Sequence, residues 1–282
     1  MKYLITGKGG QLARAFVGRM EERSADFLAL GQADLDITDP RKIDEVCAEA
    51  GPDVIINCAA YNLVDRAEAD PAEAFAVNAT GPKLLARAAR RQNAFLVHFG
   101  SDYVFDGGKN TPYTEADAPN PLNRYGESKL GGEAFIAEET DRFLILRLSW
   151  VFGEGEQNFI YKLMEWAKKG GPLRIADDEI SAPTYTYTIA DTVMKALGKG
   201  LSGLYHLAGS GYCSRFEWAR FVTRTLELEK EITPVPMSAF RLPAKRPGFS
   251  AMSNASVSKA LGISIPAWEE DVARFLNERL PR

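Results

Sequence analysis

Short apolar runs alternate along this chain with stretches whose apolar residues recur every three or four positions. Tyr3-Leu4-Ile5, Phe27 to Leu30, Asp53 to Ala60, Ala94 to Phe99 and Arg142 to Leu148 read as strands. Val54-Ile55-Ile56 is apolar without alternation, the pattern of a parallel strand covered on both faces. Between these runs, Leu12, Phe16, Val17 and Met20 form one helical stripe, and Asp39-Pro40 supplies a capping aspartate and a first-turn proline. This alternation to about residue 150 predicts a doubly wound α/β fold on a parallel sheet, followed by a smaller α/β region.

In the second half, Glu156 to Ile160 opens a helix running through Trp166, and Lys168-Lys169-Gly170-Gly171-Pro172 stops it. Thr188 to Leu197 and Gly203 to Leu207 are expected to rejoin the main sheet. Ser214 and Glu217 have the spacing of a capping box ahead of an apolar face of Trp218, Phe221, Val222 and Leu226. Pro234, Pro236, Pro243 and Pro247 mark an irregular segment.

Composition narrows the partners. The 282 residues carry a net charge of −4, which argues against a broad nucleic-acid surface. Cys47, Cys58 and Cys213 are scattered and odd in number, so neither a disulfide framework nor a zinc site is expected. No run is long and apolar enough to span a bilayer, and Met1 to Ile5 enters a strand without a signal-peptide layout. The expectation is a cytoplasmic protein with no membrane or nucleic-acid partner. No metal-ligand spacing stands out, so no catalytic metal is expected.

The candidate chemistry sits at strand ends. Gly7, Gly9 and Gly10, with Ala13 beyond, follow the first strand and open the first helix, a turn that lets backbone approach a pyrophosphate. The second strand ends in Leu30-Gly31-Gln32, without the carboxylate that would read a ribose 2′-hydroxyl; Asp34 and Asp36 come later. Ser101 follows another strand. Tyr125 and Lys129 are four apart in a predicted helix ending near Glu139, so they share a face. An ammonium beside a phenol lowers its pKa and makes it a usable acid or base. His98, between Val97 and Phe99, reads as a packed core histidine.

The glycine turn, Ser101 and Tyr125-x-x-x-Lys129 resemble the extended short-chain dehydrogenases/reductases. Gly7 to Leu12, Asn57 to Asp65, Ser101 to Gly107, Arg147 to Gly153, Ala182-Pro183-Thr184, Tyr205 to Gly209, and Arg246-Pro247-x-x-Ser250 with Asn254 resemble the dTDP-4-dehydrorhamnose reductase family. The resemblance implies a Rossmann fold, with residues 1–150 as the dinucleotide-binding domain, rejoined by parts of 184–207. Residues 151–282 would mainly bind substrate. It implies NADPH or NADH as cofactor, a dTDP-sugar as substrate, and reduction of the C4 keto group of dTDP-4-dehydro-L-rhamnose.

On this resemblance Tyr125 is the proton donor, Lys129 holds the nicotinamide ribose and lowers the tyrosine pKa, and Ser101 bonds the carbonyl oxygen where threonine is common. Gly7, Gly10, Gln11 and Leu12 meet the pyrophosphate, Asp36 and Ile37 lie by the adenine, and Ala60, Tyr61 and Asn62 run along the cofactor. Ser101 and Asp102 contact the sugar and Trp150 packs on it. Arg246, with Arg241 and Lys245, is a candidate for the diphosphate. Ala13 stands where glycine is frequent, and Tyr61-Asn62 replaces a small or polar pair. Two alternatives remain: a non-catalytic dinucleotide-binding subunit, like the regulatory subunit of methionine adenosyltransferase, and a reductase giving another 6-deoxyhexose epimer. The choice between NADH and NADPH, a homodimer, and any Mg²⁺ needed for assembly stay open at this level.

Overall fold

The computed structural model describes residues 1–169 and 171–278. Five strands in the first half, β1 (Lys2–Thr6), β2 (Asp26–Leu30), β3 (Val54–Asn57), β4 (Phe95–Ser101) and β5 (Phe143–Leu148), are joined by Gly203–His206 in one sheet. Its order is Gly203–His206, β5, β4, β3, β1, β2, with every neighbouring pair parallel. The strand order reverses between β1 and β3, the point where ligands of such sheets lie beyond the carboxyl ends.

Both faces are covered, as the unbroken apolar strands require. Ile5, Ile56, Val97 and Leu146 point into one core with Phe16 and Met20. Their neighbours Leu4, Ile55, Leu96 and Ile145 point into the other with Ile43, Leu85 and Ala89. Each such aliphatic side chain, fully withdrawn from water, contributes roughly 1.5–3 kcal/mol. The helix Thr186–Gly198 packs on Gln11–Glu22, with Arg19 bound to Asp191 through two hydrogen bonds of 2.8 Å.

Expected caps are in place. Asp39 accepts from the N–H groups of Arg41 and Lys42, and Ser214 and Glu217 form the reciprocal box. Two boundaries differ from the sequence pattern. The third strand stops at Asn57 rather than Ala60, because the Ala59 N–H leaves the ladder for Thr6 Oγ1 and Asn57 Oδ1. The helix expected from Glu156 begins at Phe159: Asn158 accepts from Tyr161 N–H at 3.0 Å and holds the Gly153 and Gly155 carbonyls. Of the stop that follows it, Gly170 lies outside the described residues, as do 279–282 of the second region. Among the described residues no helix is long and apolar enough to cross a membrane.

Candidate active site

The glycine turn lies at the strand-order reversal. Gly7 has φ of 68°, and a Cβ there would fall 2.7 Å from the Ala59 nitrogen. Gly10 caps the helix Gln11–Glu22 without a side-chain hydrogen bond. Nothing lies within 4 Å of where a Cβ on Gly9 would stand. Gln11 donates to the Val151 carbonyl at 3.1 Å, while its Oε1 is buried without a partner among the described residues. An open approach to an uncapped helix N-terminus, backed by glycine, fits a dinucleotide pyrophosphate.

β2 closes on Leu30 with no acid at its terminus. The turn after Leu30 returns Asp34, whose carboxylate accepts a long hydrogen bond of 3.4 Å from Gly31 N–H. Lys8 N–H bonds the Leu30 carbonyl at 3.0 Å, so an exposed lysine stands at the same strand end. Asp36 accepts from Thr38 N–H and hydroxyl at 2.8 and 2.7 Å, and Ile37 is buried against Gly81 and the core. Ala60 follows β3. Tyr61 is buried, with its N–H and carbonyl both held at 2.9 Å by Asn78. Asn62 is exposed and accepts from the Tyr125 hydroxyl at 3.4 Å.

Ser101 ends β4, and its Oγ accepts from Tyr103 N–H at 3.2 Å and donates to Asp102 at 3.3 Å. The helix Arg124–Glu139 starts from Asn123, which accepts from Gly126 N–H at 2.8 Å. A Cβ on Gly126 would fall 2.2 Å from the Tyr103 carbonyl oxygen, so this glycine lets the helix rest on the loop that follows Ser101. Tyr125 and Ser101 thereby converge. Burial pushes the Tyr125 phenol up to about 12, with Ser101 pulling it down and Asp102 pushing it up.

Lys129 lies one turn further along the same helix. Its ammonium donates to the Phe99 carbonyl of β4 at 2.6 Å. Burial brings Lys129 down to about 8, and Glu133 opposes the fall. Asp102 is buried and accepts from Ser181 at 3.0 Å and Ser250 at 2.6 Å, which ties the loop after β4 to the second half. Burial raises its carboxyl to about 6 against those two hydrogen bonds. His98 is a core residue, bonded to Asn57 at 3.0 Å and held neutral by burial and by the Lys129 charge.

A cleft of about 390 Å³ opens in the second half; Ser101, Tyr125 and Lys129 do not line it, but Arg215 and Glu179 of its lining act on the charge of Asp102. Trp150 forms its wall in a left-handed conformation with φ of 40°, a strained geometry of the kind that functional sites hold. Its ring is also core: it stacks on Trp218 at 5.6 Å and lies 3.6 Å beneath the Arg215 guanidinium. Of the three cations proposed for a diphosphate, only Arg246 lines the cleft; Arg241 and Lys245 are exposed elsewhere. Arg246 is held by Asp65 at 2.7 and 3.0 Å. Lys162, Arg174 and Arg215 join it, and the sequence reading missed all three. They come from separate elements, and only packing brings them together.

Against known proteins, the model of the RmlD substrate binding domain family matches residues 1–280. The chain belongs to that family. A dTDP-4-dehydrorhamnose reductase of Burkholderia thailandensis is 36% identical, with 99% of each chain covered. A probable dTDP-4,6-dihydroxy-2-methyloxan-3-one 4-ketoreductase of Streptomyces antibioticus is also 36% identical, over 90% of this chain and 87% of that one. The solved dTDP-4-dehydrorhamnose reductase of Bacillus anthracis, in complex with NADP, superposes with a TM-score of 0.95 at 32% identity, covering 98% of this chain and 99% of that one.

Proposed function

We propose that this chain reduces the C4 keto group of dTDP-4-dehydro-L-rhamnose to give dTDP-L-rhamnose. The carrying observation is that Tyr125 and Ser101 converge at the carboxyl end of β4, next to Asp102, on which Arg215 and Glu179 of the arginine- and tryptophan-lined cleft act. When bound, the cofactor supplies a hydride to C4. Tyr125 gives its proton to the oxygen that becomes the hydroxyl, and Ser101 bonds that oxygen. Lys129 provides the positive charge that favours the resulting phenolate. Arg174, Arg215 and Arg246 suit a diphosphate, with the aromatic walls beside them for the base and sugar. Asp102 orders the Ser101 loop through its hydroxyl partners and shares in the sugar contact.

The test is purified protein with the 4-keto substrate, following NADPH and NADH consumption separately and identifying the product. Release of dTDP-L-rhamnose is expected. Stable pull-down of a partner protein without consumption of reduced cofactor would instead favour the binding-subunit alternative. The Streptomyces antibioticus relative carries a name for a different deoxy-sugar ketone, so product stereochemistry separates a second reductase reading. A homodimer remains part of the proposal, tested by mass in light scattering.

Both cofactors are expected to serve. Asp34 suits a ribose 2′-hydroxyl, whereas Lys8 suits a 2′-phosphate. Lys8→Ala is expected to weaken NADPH roughly tenfold relative to NADH, the scale of one charge-assisted contact, and Asp34→Ala to shift the preference the other way. Unchanged ratios of kcat/KM for the two cofactors would remove both assignments.

A further inference from the structure

Behind the reacting pair lies a charged group that the proposed chemistry does not use. Glu133 is one helical turn beyond Lys129, as Lys129 is beyond Tyr125, so the three share a face of Arg124–Glu139. Its carboxylate is 4% exposed and meets Arg147 of β5 at 2.7 Å through Nη2 and 3.1 Å through Nε. The fold makes room for this pair. A Cβ on Gly100 of β4 would lie 2.2 Å from Glu133 Oε1 and 2.9 Å from Arg147 Cγ. Well-packed apolar residues would fill such a site as stably or more so, which suggests a use for the charge beyond stability.

We propose that Glu133 is a positioning residue for the reduction, keeping Lys129 cationic at the reacting centre while Arg147 fixes its carboxylate. This rests on Tyr125 and Lys129 being the reacting pair. The surroundings of Lys129 leave that task to Glu133. From β4 it faces the Phe99 carbonyl and His98, which is neutral. Arg147 on β5 is cationic and bound to Glu133, with His206 beside it at 3.5 Å. Asp102, beyond β4, is bonded to Ser101, Ser181 and Ser250. Tyr125, on the same helix, is a neutral phenol until it gives up its proton. Glu133 is the anion that acts on Lys129: burial lowers the ammonium to about 8, and Glu133 opposes that fall.

The test follows the Lys129 titration by NMR in the NADP-bound protein labelled at lysine Cε, with Lys129→Met giving the assignment. The pH profile of kcat/KM is measured alongside. Glu133→Gln is expected to lower the Lys129 midpoint by about one pH unit and to move the alkaline fall in activity with it. Glu133→Asp, which keeps the charge, is expected to restore both. Should the glutamine variant fail to fold, the double variant Glu133→Leu with Arg147→Met removes the pair without leaving a buried charge unpaired, and the midpoint is again expected to fall. A midpoint that stays put in any folded variant without the carboxylate overturns the proposal, leaving the pair a packing device. A midpoint that moves while the activity profile does not upholds the charge effect and instead defeats the role of Lys129 in the reaction.

Discussion

Tyr125→Phe is expected to lower turnover by roughly 10²–10⁴-fold, the usual worth of a positioned proton donor. The substitution removes one hydroxyl and keeps the ring, which packs edge-on to Tyr103 at 5.6 Å. The fold and the glycine turn should therefore survive, and NADPH should bind as before. Single-turnover rates together with a fluorescence titration of NADPH separate the two quantities. Turnover at the parent rate would remove Tyr125 from the reaction. Loss of cofactor binding would mean that the phenol serves the cofactor site rather than proton transfer. The long bond from Tyr125 to Asn62 makes the outcome informative, because a proton donor needs a free direction toward substrate.

Gly7→Ala is expected to damage both stability and cofactor binding. A non-glycine residue in the left-handed region costs about 1–2 kcal/mol. The added methyl would also press on the backbone of Cys58 and Ala59, at 2.8 and 2.7 Å, neither of which is a flexible side-chain tip. Overpacking of that kind costs about 1–3 kcal/mol, so a total near 2–5 kcal/mol is expected. Calorimetry should show a melting temperature lower by roughly 5–15 °C, and NADPH affinity should fall at least about tenfold as the turn shifts off the helix. A variant with unchanged melting and affinity would mean that β1 and β3 can separate at this point without cost.

Local physics wrote much of this molecule into its sequence. Val54-Ile55-Ile56 had to be covered on both faces, Asp39-Pro40 and the Ser214–Glu217 pair had to start helices, and Tyr125 and Lys129 had to share a helix face. Such signals involve residues a few positions apart, so spacing alone carries them. The family motifs added Ser101 and the glycine turn.

What tertiary structure decided involves residues far apart in the chain. Asp34 returned to the end of β2 through a turn that no periodicity marks. Lys129 was drawn to the Phe99 carbonyl across 30 positions. Arg174 and Arg215 reached one cleft with Arg246, and Gly100 left the space in which Glu133 meets Arg147. A chain's spacing determines which face a side chain occupies, but electrostatics depends on distance through space and on how much water remains. Those two quantities exist only once the sheet and its helices have closed.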